Sequence, residues 1–534
     1  MPGDVLLGID LGTTVLKAAA FDARSGRALG HASVRLPVES RADGAREQRI
    51  PMLDRALMRV ADSLRRQLGG AAWRRVAGIG LAAQGGSAII ADRSTGRALT
   101  PMQLWNDSRA YARIPEIAAR KPSGYWPRFS FLRNPGAGLA RIEWLRDRLP
   151  QLFCPQNIYV GAGEYVYFRL TGTWRQDAGN ALQIGCYDAR RHRIIAEPLR
   201  LVGAEPDFVA PMRSGHEMHP LTPSGAKALR LPAGIPVAGP YMDHEAGYLS
   251  AMGTGAESAG GTPLQCSLGT AWVGNFVSAK QPPPGFQLML PSPIGSDNGR
   301  QATGRSAHAD RRLVNPVACS LQPAARWLVV RVMCAGNITW DWALGSLLKG
   351  RPQTKLSRAD AVFRQQLLPP AGLAALPWFT RANPLAPDQA GAGFFAGLGE
   401  HTTTDDMLRA VVAGMCFEFA RVFQPVVQSG CVDRVVLGGG ASNGWYFRTM
   451  LAGLFAPLPV FHVQDEALAG TRGVLYAFNP RVAATGTMRV PRPGKLLIAR
   501  IQAGFDMHRR LCDALAGGLP EDARIQLDIQ PRKQ

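Results

Sequence analysis

The feature that most constrains the fold is a short motif that occurs twice, roughly half the chain apart. Val5-Leu6-Leu7-Gly8-Ile9-Asp10 is an aliphatic run ending at a small-residue turn, Gly12-Thr13-Thr14. Val15 to Phe21 returns as a second strand, and Asp22-Ala23-Arg24-Ser25-Gly26 turns the chain again. Gln265-Cys266-Ser267-Leu268-Gly269-Thr270-Ala271-Trp272-Val273 repeats the Leu-Gly-Thr of Leu11-Gly12-Thr13 between two strand-like runs. Two glycine-tipped β-hairpins, each opening about half of the chain, predict an internal duplication. A length of 534 residues also exceeds what one ordinary core accommodates. The reading is two α/β domains, residues 1–250 and 251–480, with the boundary at the small, flexible Met252-Gly253-Thr254-Gly255, and an extension over 481–534.

Between the hairpins the pattern predicts strands at Val76 to Ala82 and Ala88 to Asp92 and a helix around Leu139 to Arg148. In the second half, Asp405 to Val427 has helical spacing of apolar residues. Val435-Val436-Leu437 is a buried strand, Gly438-Gly439-Gly440 a turn, and Trp445 to Phe455 a helix. Lys280 to Arg312, rich in Pro, Gly, Ser and charge, reads as a surface excursion, and the tail offers one helix near Leu496 to Leu515 without an evident job.

Composition excludes several classes. With 46% hydrophobic and 19% charged residues the chain reads as globular. No apolar run approaches the roughly 20 residues of a membrane helix. Met1-Pro2-Gly3-Asp4 lacks the basic region of a signal peptide, so a cytoplasmic protein is expected. The eight cysteines are scattered, with neither a C-x-x-C pair nor zinc-finger spacing, so neither a disulfide framework nor a structural metal is expected. The net charge of +21 would suit nucleic acid, but the arginines are dispersed and form no basic run interleaved with aromatics. Steering of an anionic small molecule is the simpler use of that potential.

Asp10-Leu11-Gly12-Thr13-Thr14 places a carboxylate at a strand end, then a glycine, then two hydroxyls, with Lys17 three residues on. Backbone N–H groups at a tight turn, hydroxyls and a carboxylate for magnesium are what a nucleotide's phosphates require; the same residues also make an ordinary turn between core strands. Ser267-Leu268-Gly269-Thr270 doubles the set.

These segments resemble the FGGY carbohydrate kinases, in particular the xylulokinase- and ribulokinase-like members of the actin–hexokinase superfamily. Gly8 to Lys17 looks like the family's opening, and Trp105-Asn106-Asp107-Ser108-Arg109 its W-N-D-x-R sugar segment. Glu164-Tyr165, Leu170-Thr171-Gly172, Asp177, Gly234 to Gly239 and Asp243 follow in the family's order. Gly438-Gly439-Gly440-Ala441-Ser442-Asn443 resembles its adenosine-binding turn. The resemblance runs from about residue 5 to 478. It implies two actin-like (ribonuclease H-like) domains with an interdomain cleft, and transfer of the γ-phosphate of ATP to a hydroxyl of a ketose or related polyol.

By the same resemblance Asp243 is the base that takes the acceptor's proton, while Asp10 and Asp243 serve Mg2+. Asp243 also reads as an N-cap ahead of Ala246 to Met252, and both roles are compatible. Gly12, Thr13, Thr14, Lys17, Gly269 and Thr270 would hold phosphates, and Gly439, Gly440 and Asn443 the nucleoside. Gln84, Trp105, Asn106, Asp107 and Arg109 would hold the sugar, against the plainer reading of a core tryptophan and a surface ion pair. His244 and Glu245 read as supporting residues, since no second histidine stands at ligand spacing. The partners implied are a small sugar and ATP, without a membrane; a homodimer is left open.

The chain departs from the family pattern in places. Many ketose kinases carry S-G-Q-M-H-G where this chain has Ala82-Ala83-Gln84-Gly85-Gly86-Ser87, which predicts a more open pocket. Glycerol kinases place Arg-Glu after that glutamine and Gln after the catalytic Asp; Gly85-Gly86 and His244 argue against glycerol. The acidic residue of a later G-E-R-T-P segment is missing from Thr380-Arg381-Ala382-Asn383-Pro384, and Gly453 replaces a usual Asp. A silent sugar-binding sensor of the same fold is the alternative to an enzyme, and intact Asp10, Asp243 and Thr270 speak against it.

Overall fold

The computed structural model describes residues 3–122, 124–129, 134–188, 191, 193–213, 216–252, 262–269, 271–278, 288–291, 327–333, 335–378 and 393–517. Thr270, most of the proposed boundary, most of the 280–312 excursion and the 380–384 segment lie outside these residues.

Both hairpins form, and each seeds a sheet. Val5–Leu11 pairs antiparallel with Val15–Asp22, which pairs with Ala28–Arg35. On the other side Val5–Leu11 runs parallel to Val76–Ala83, itself parallel to Pro236–Met242, with His219–Pro220 as an antiparallel edge. The second sheet repeats this strand for strand. Trp327–Met333, Trp272–Ser278 and Pro263–Leu268 are antiparallel neighbours, followed by the parallel strands Arg434–Gly438 and Val460–Val463 and the antiparallel edge Thr487–Arg489. One extra strand, Leu288–Pro291, is added at its far edge. The duplication therefore holds at the level of topology, although only three residues of the motif are identical.

Each sheet buries its aliphatic face under helices. In the first half Leu53, Leu57, Val60 and Leu64 of the helix Ile50–Leu68 cover Leu7, Ile9, Leu16 and Ile79. In the second half the helix Thr404–Gln428 crosses Leu264, Trp272 and Leu437 with Leu408, Phe419 and Phe423. It starts at a capping box in which the Thr403 hydroxyl accepts from Asp406 N and the Asp406 carboxylate accepts from Thr403 N. At 25 residues it is long and apolar enough to cross a membrane, contrary to the expectation that no segment would be, yet it is largely buried inside the protein. Its polar residues are satisfied there, Arg409 by the carbonyls of Val362 and Gln366.

The tail helix, Lys495–Gly517, has a structural role after all. Ile501 and Phe505 complete the second core, and Ile501 docks at Gly453, where a Cβ would lie 2.6 Å from its Cδ1. That close approach accounts for glycine in place of the family's aspartate. His508 Nε2 meets Glu418 Oε2 at 3.1 Å, and Cys512 lies beside them. This His–Cys–Glu group has the composition of a metal site, which the cysteine spacing did not predict. However, Arg421 already forks onto both Glu418 oxygens at 2.6 and 2.8 Å, so a positive charge stands where a cation would bind. The cluster is a clamp between the two helices. Among the described residues no cysteine is in a disulfide.

Candidate active site

Three parallel strands of the first sheet end at one level. Asp10 pairs with Ala82, Leu11 with Ala83, and Met242 with Ala83, so Asp10, Gln84 and Asp243 emerge side by side. Carboxyl ends of parallel strands are where open α/β sheets collect ligands. A helix, Asp243–Met252, begins at Asp243 itself. The aspartate is thus in the first turn rather than at an N-cap, and the amide of His244 donates to its Oδ1 at 2.9 Å.

A short helix from the second half, Ala469–Gly473, closes the site from below. Its backbone touches the first sheet and the helix Asp243–Met252 where glycines allow it: a Cβ on Gly8 would collide with the carbonyl of Thr471, and one on Gly473 with the carbonyl of Ala246. Arg472 pins the contact, donating to the carbonyls of Gly26 and Val482 and lying 4.4 Å over the Phe21 ring. Burial against this helix pushes the Asp10 carboxyl up to about 6; Lys17, its cross-strand partner, opposes the rise and Asp243 adds to it. Two neighbouring carboxylates, one of them reluctant to ionise, form a donor set that a divalent cation would relieve.

Beneath Asp243 lies a second group of acids. Asp177 Oδ1 caps the helix Ala178–Ile184 through Asn180 N at 2.7 Å, and Oδ2 accepts from Met242 N at 2.8 Å. This side chain thereby ties the residue before Asp243 to the wall of the site. Glu245 lies against Asp177 as its side-chain hydrogen-bond partner, and desolvation together with the neighbouring carboxylate drives its pKa well up. Glu164, in the same recess, is pushed up to about 8 by burial, with Asp177 contributing. His244-Glu245 therefore divides, Glu245 supporting the site from inside.

The expected sugar residues separate into two sets. Thr13 Oγ1 donates to Gln84 Oε1 at 2.7 Å and accepts from Trp105 Nε1 at 3.1 Å, so Thr13 sits with the sugar residues and its hydroxyl is already engaged. Gly12 N is likewise engaged, donating to Val15 O at 3.0 Å across the turn. Gln84 Nε2 and Asn106 Oδ1 are buried without a partner among the described residues. Such atoms cost free energy unless a ligand satisfies them.

Asp107 and Arg109 form the second set, engaged with protein partners. Asp107 is 3% exposed and accepts from Arg46 N at 3.0 Å and from Arg109 through N, Nε and an Nη. Arg109 also pairs with Glu47 and lies 4.7 Å over the Trp144 ring. Every lone pair that a sugar would want is already in use. The pair is not a surface ion pair; it ties the Trp105–Arg109 segment to Arg46 and Glu47.

Across from these residues, Ser267 pairs with Gly438, which brings the Gly269 turn beside Gly439. Gly439 has φ +93°, and a Cβ there would collide with the backbone of Leu268, so glycine is required by the fold as well as by any ligand. Gly440 and Asn443 are exposed on the short helical turn that follows, and nothing crowds Gly440 closer than 3.5 Å. The helix Asn337–Leu347 starts here, with Asn337 N donating to Gly269 O at 2.9 Å and Trp272 Nε1 to Asn337 Oδ1 at 3.1 Å. The amides of its first turn are largely engaged, Thr339 N donating to Gly336 O at 2.9 Å. Glu466 is half-buried between the backbone of Gly439 and Lys17, which links the two turns. Sequence patterns missed Asn337 and Glu466, and also Gln183 of the helix Ala178–Ile184, because each is an isolated polar residue whose partners are distant in the chain.

Two hairpin-seeded sheets with acids at one set of strand ends and a glycine turn at the other define a two-domain, actin-like phosphotransferase. The chain matches the FGGY family of carbohydrate kinases, with the N-terminal domain over residues 5–250 and the C-terminal domain over 300–477, and it belongs to that family. It is 24% identical over 483 residues to an erythritol kinase of Brucella abortus (88% of this chain, 86% of that one). It is 25% identical over 485 residues to the xylulose kinase of Escherichia coli (89% and 90%). The crystal structure of a xylulose kinase from Rhodospirillum rubrum superposes with a TM-score of 0.80 at 19% identity, covering 96% of this chain and 99% of that one. The protein is an ATP-dependent carbohydrate kinase.

Proposed function

We propose that the acceptor is an uncharged ketose or polyol and that Asp243 is the general base. The observation that carries this is the chemistry of the acceptor wall: unpartnered amide atoms on Gln84 and Asn106. Arg109 is held by Asp107 and Glu47, and Arg141 by the carbonyls of Gly86 and Leu104. Hydroxyls match the free donor of Gln84 and the free acceptor of Asn106 directly, as an uncharged acceptor requires.

In this reading the acceptor hydroxyl gives its proton to the Asp243 carboxylate as its oxygen bonds to the γ-phosphorus; the bridging P–O bond breaks and ADP leaves. Asp177 and the helix start hold Asp243 in place. Asp10 and Asp243 would hold Mg2+, which supplies charge neutralisation for the phosphates when bound. Residues 1–250 would carry the acceptor, and 251–480 the nucleotide.

Asp243→Asn keeps size but removes the basic lone pair. Turnover should fall by about 10²–10⁴ with acceptor and ATP affinities within a few-fold. Asp10→Asn should instead raise the magnesium concentration needed for half-maximal rate. Near wild-type turnover by Asp243→Asn, or a wild type that binds sugar and never transfers phosphate, would overturn the reading, the latter in favour of a sensor.

A further inference from the structure

The pair Gly85-Gly86 predicts an open pocket, and the structure shows otherwise. A Cβ on Gly85 would lie 2.7 Å from Gln183 Nε2 and 3.0 Å from its Cδ, and one on Gly86 would run into Gln183 Oε1. Gly86 also has φ +74°, a conformation costly for any other residue. The volume that loop side chains would fill is occupied by an amide arriving from a different element. Gln183 is the penultimate residue of the helix Ala178–Ile184, whose start is capped by Asp177.

The amide is poorly used by the protein. Its one hydrogen bond among the described residues runs from Nε2 to the thioether of Met242 at 3.5 Å, a weak acceptor. Met242 immediately precedes Asp243. Gln183 therefore stands half-buried between the loop that carries Gln84 and the strand end that carries the proposed base, with donor and acceptor both available.

We propose that Gln183 is the specificity-determining residue of the acceptor site, its amide reading hydroxyl or carbonyl oxygens of an uncharged ketose or polyol in place of side chains at 85 and 86. This rests on the proposal of a neutral acceptor. Specificity at this wall is then set by a residue some hundred positions from the loop it replaces.

The test uses the full-length enzyme. A panel of pentuloses, hexuloses, tetruloses, polyols and gluconate first identifies the wild-type acceptor; turnover of gluconate alone would overturn the neutral acceptor, whatever the variants show. Gln183→Met then keeps length and volume but removes the amide. The acceptor KM should rise about 10–100-fold, the KM for ATP should move less than twofold, and discrimination within the panel should shrink. Gly85→Met should raise the acceptor KM by displacing Gln183, yet add little in the Gln183→Met background, a non-additivity expected of groups that compete for one volume. An acceptor KM unchanged within twofold in Gln183→Met overturns the proposal, whether or not stability falls. So does a parallel rise for acceptor and ATP, which would mark a packing role.

Discussion

Glu164 offers a quantitative test of the buried acids beneath the site. It sits at the start of the helix Ala162–Thr171, sealed in by Gly163, where a Cβ would come within 2.8 Å of Pro240 and 3.1 Å of Ala83. Its folded pKa of about 8, against an ordinary 4.5, means the native state keeps a proton that the unfolded chain releases. Stability from this group is full below pH 4.5 and is lost as pH rises toward 8, at about 1.4 kcal/mol per pH unit. The total is roughly 5 kcal/mol, an upper bound because water entering the recess would screen the ionised form. Glu164→Gln keeps the shape and cannot ionise. Urea unfolding of both proteins from pH 4.5 to 8.5 should give a stability gap that widens in favour of the variant as pH rises. Curves that stay parallel across that window, whatever the gap between them, would refute a protonated Glu164.

Two substitutions separate fold from ligand at the nucleotide turn: Gly439→Val should lower the unfolding midpoint through its collision with Leu268, whereas Gly440→Val should fold normally and lose ATP affinity. Calorimetry on a folded Gly440→Val protein with undiminished ATP binding would remove this turn from the nucleotide site. Asp107→Ala should cost about 3–5 kcal/mol in chemical denaturation, because Arg109 and the Arg46 amide lose a buried partner. Weakened sugar binding at full stability would restore Asp107 to the role of direct ligand.

Local pattern and motif order made much of the architecture legible. Runs of apolar residues ending at glycine turns predict the strands Val5–Leu11, Val76–Ala83 and Arg434–Gly438, and the apolar period of Thr404–Gln428 predicts its helix. Both signals are local, since burial of one face imposes a period on the sequence itself. Asp10 was legible as a carboxylate at a strand end, Gln84 and Asp243 through the order of the family's motifs, and the sheet sets all three at parallel strand ends.

What only the tertiary structure decided is which polar groups are already engaged. Asp107 and Arg109 look like sugar ligands in sequence, but their partners, Arg46, Glu47 and Trp144, come from distant segments and close the pair on itself. Thr13 turns from phosphate residue to neighbour of Gln84 and Trp105 for the same reason. The double glycine at 85 and 86 reads as empty space until Gln183 arrives from another helix to fill it. Hydrogen-bond capacity and excluded volume are pairwise quantities between residues far apart in the chain, so a one-dimensional pattern carries the strands and their ends but not the partners that meet there.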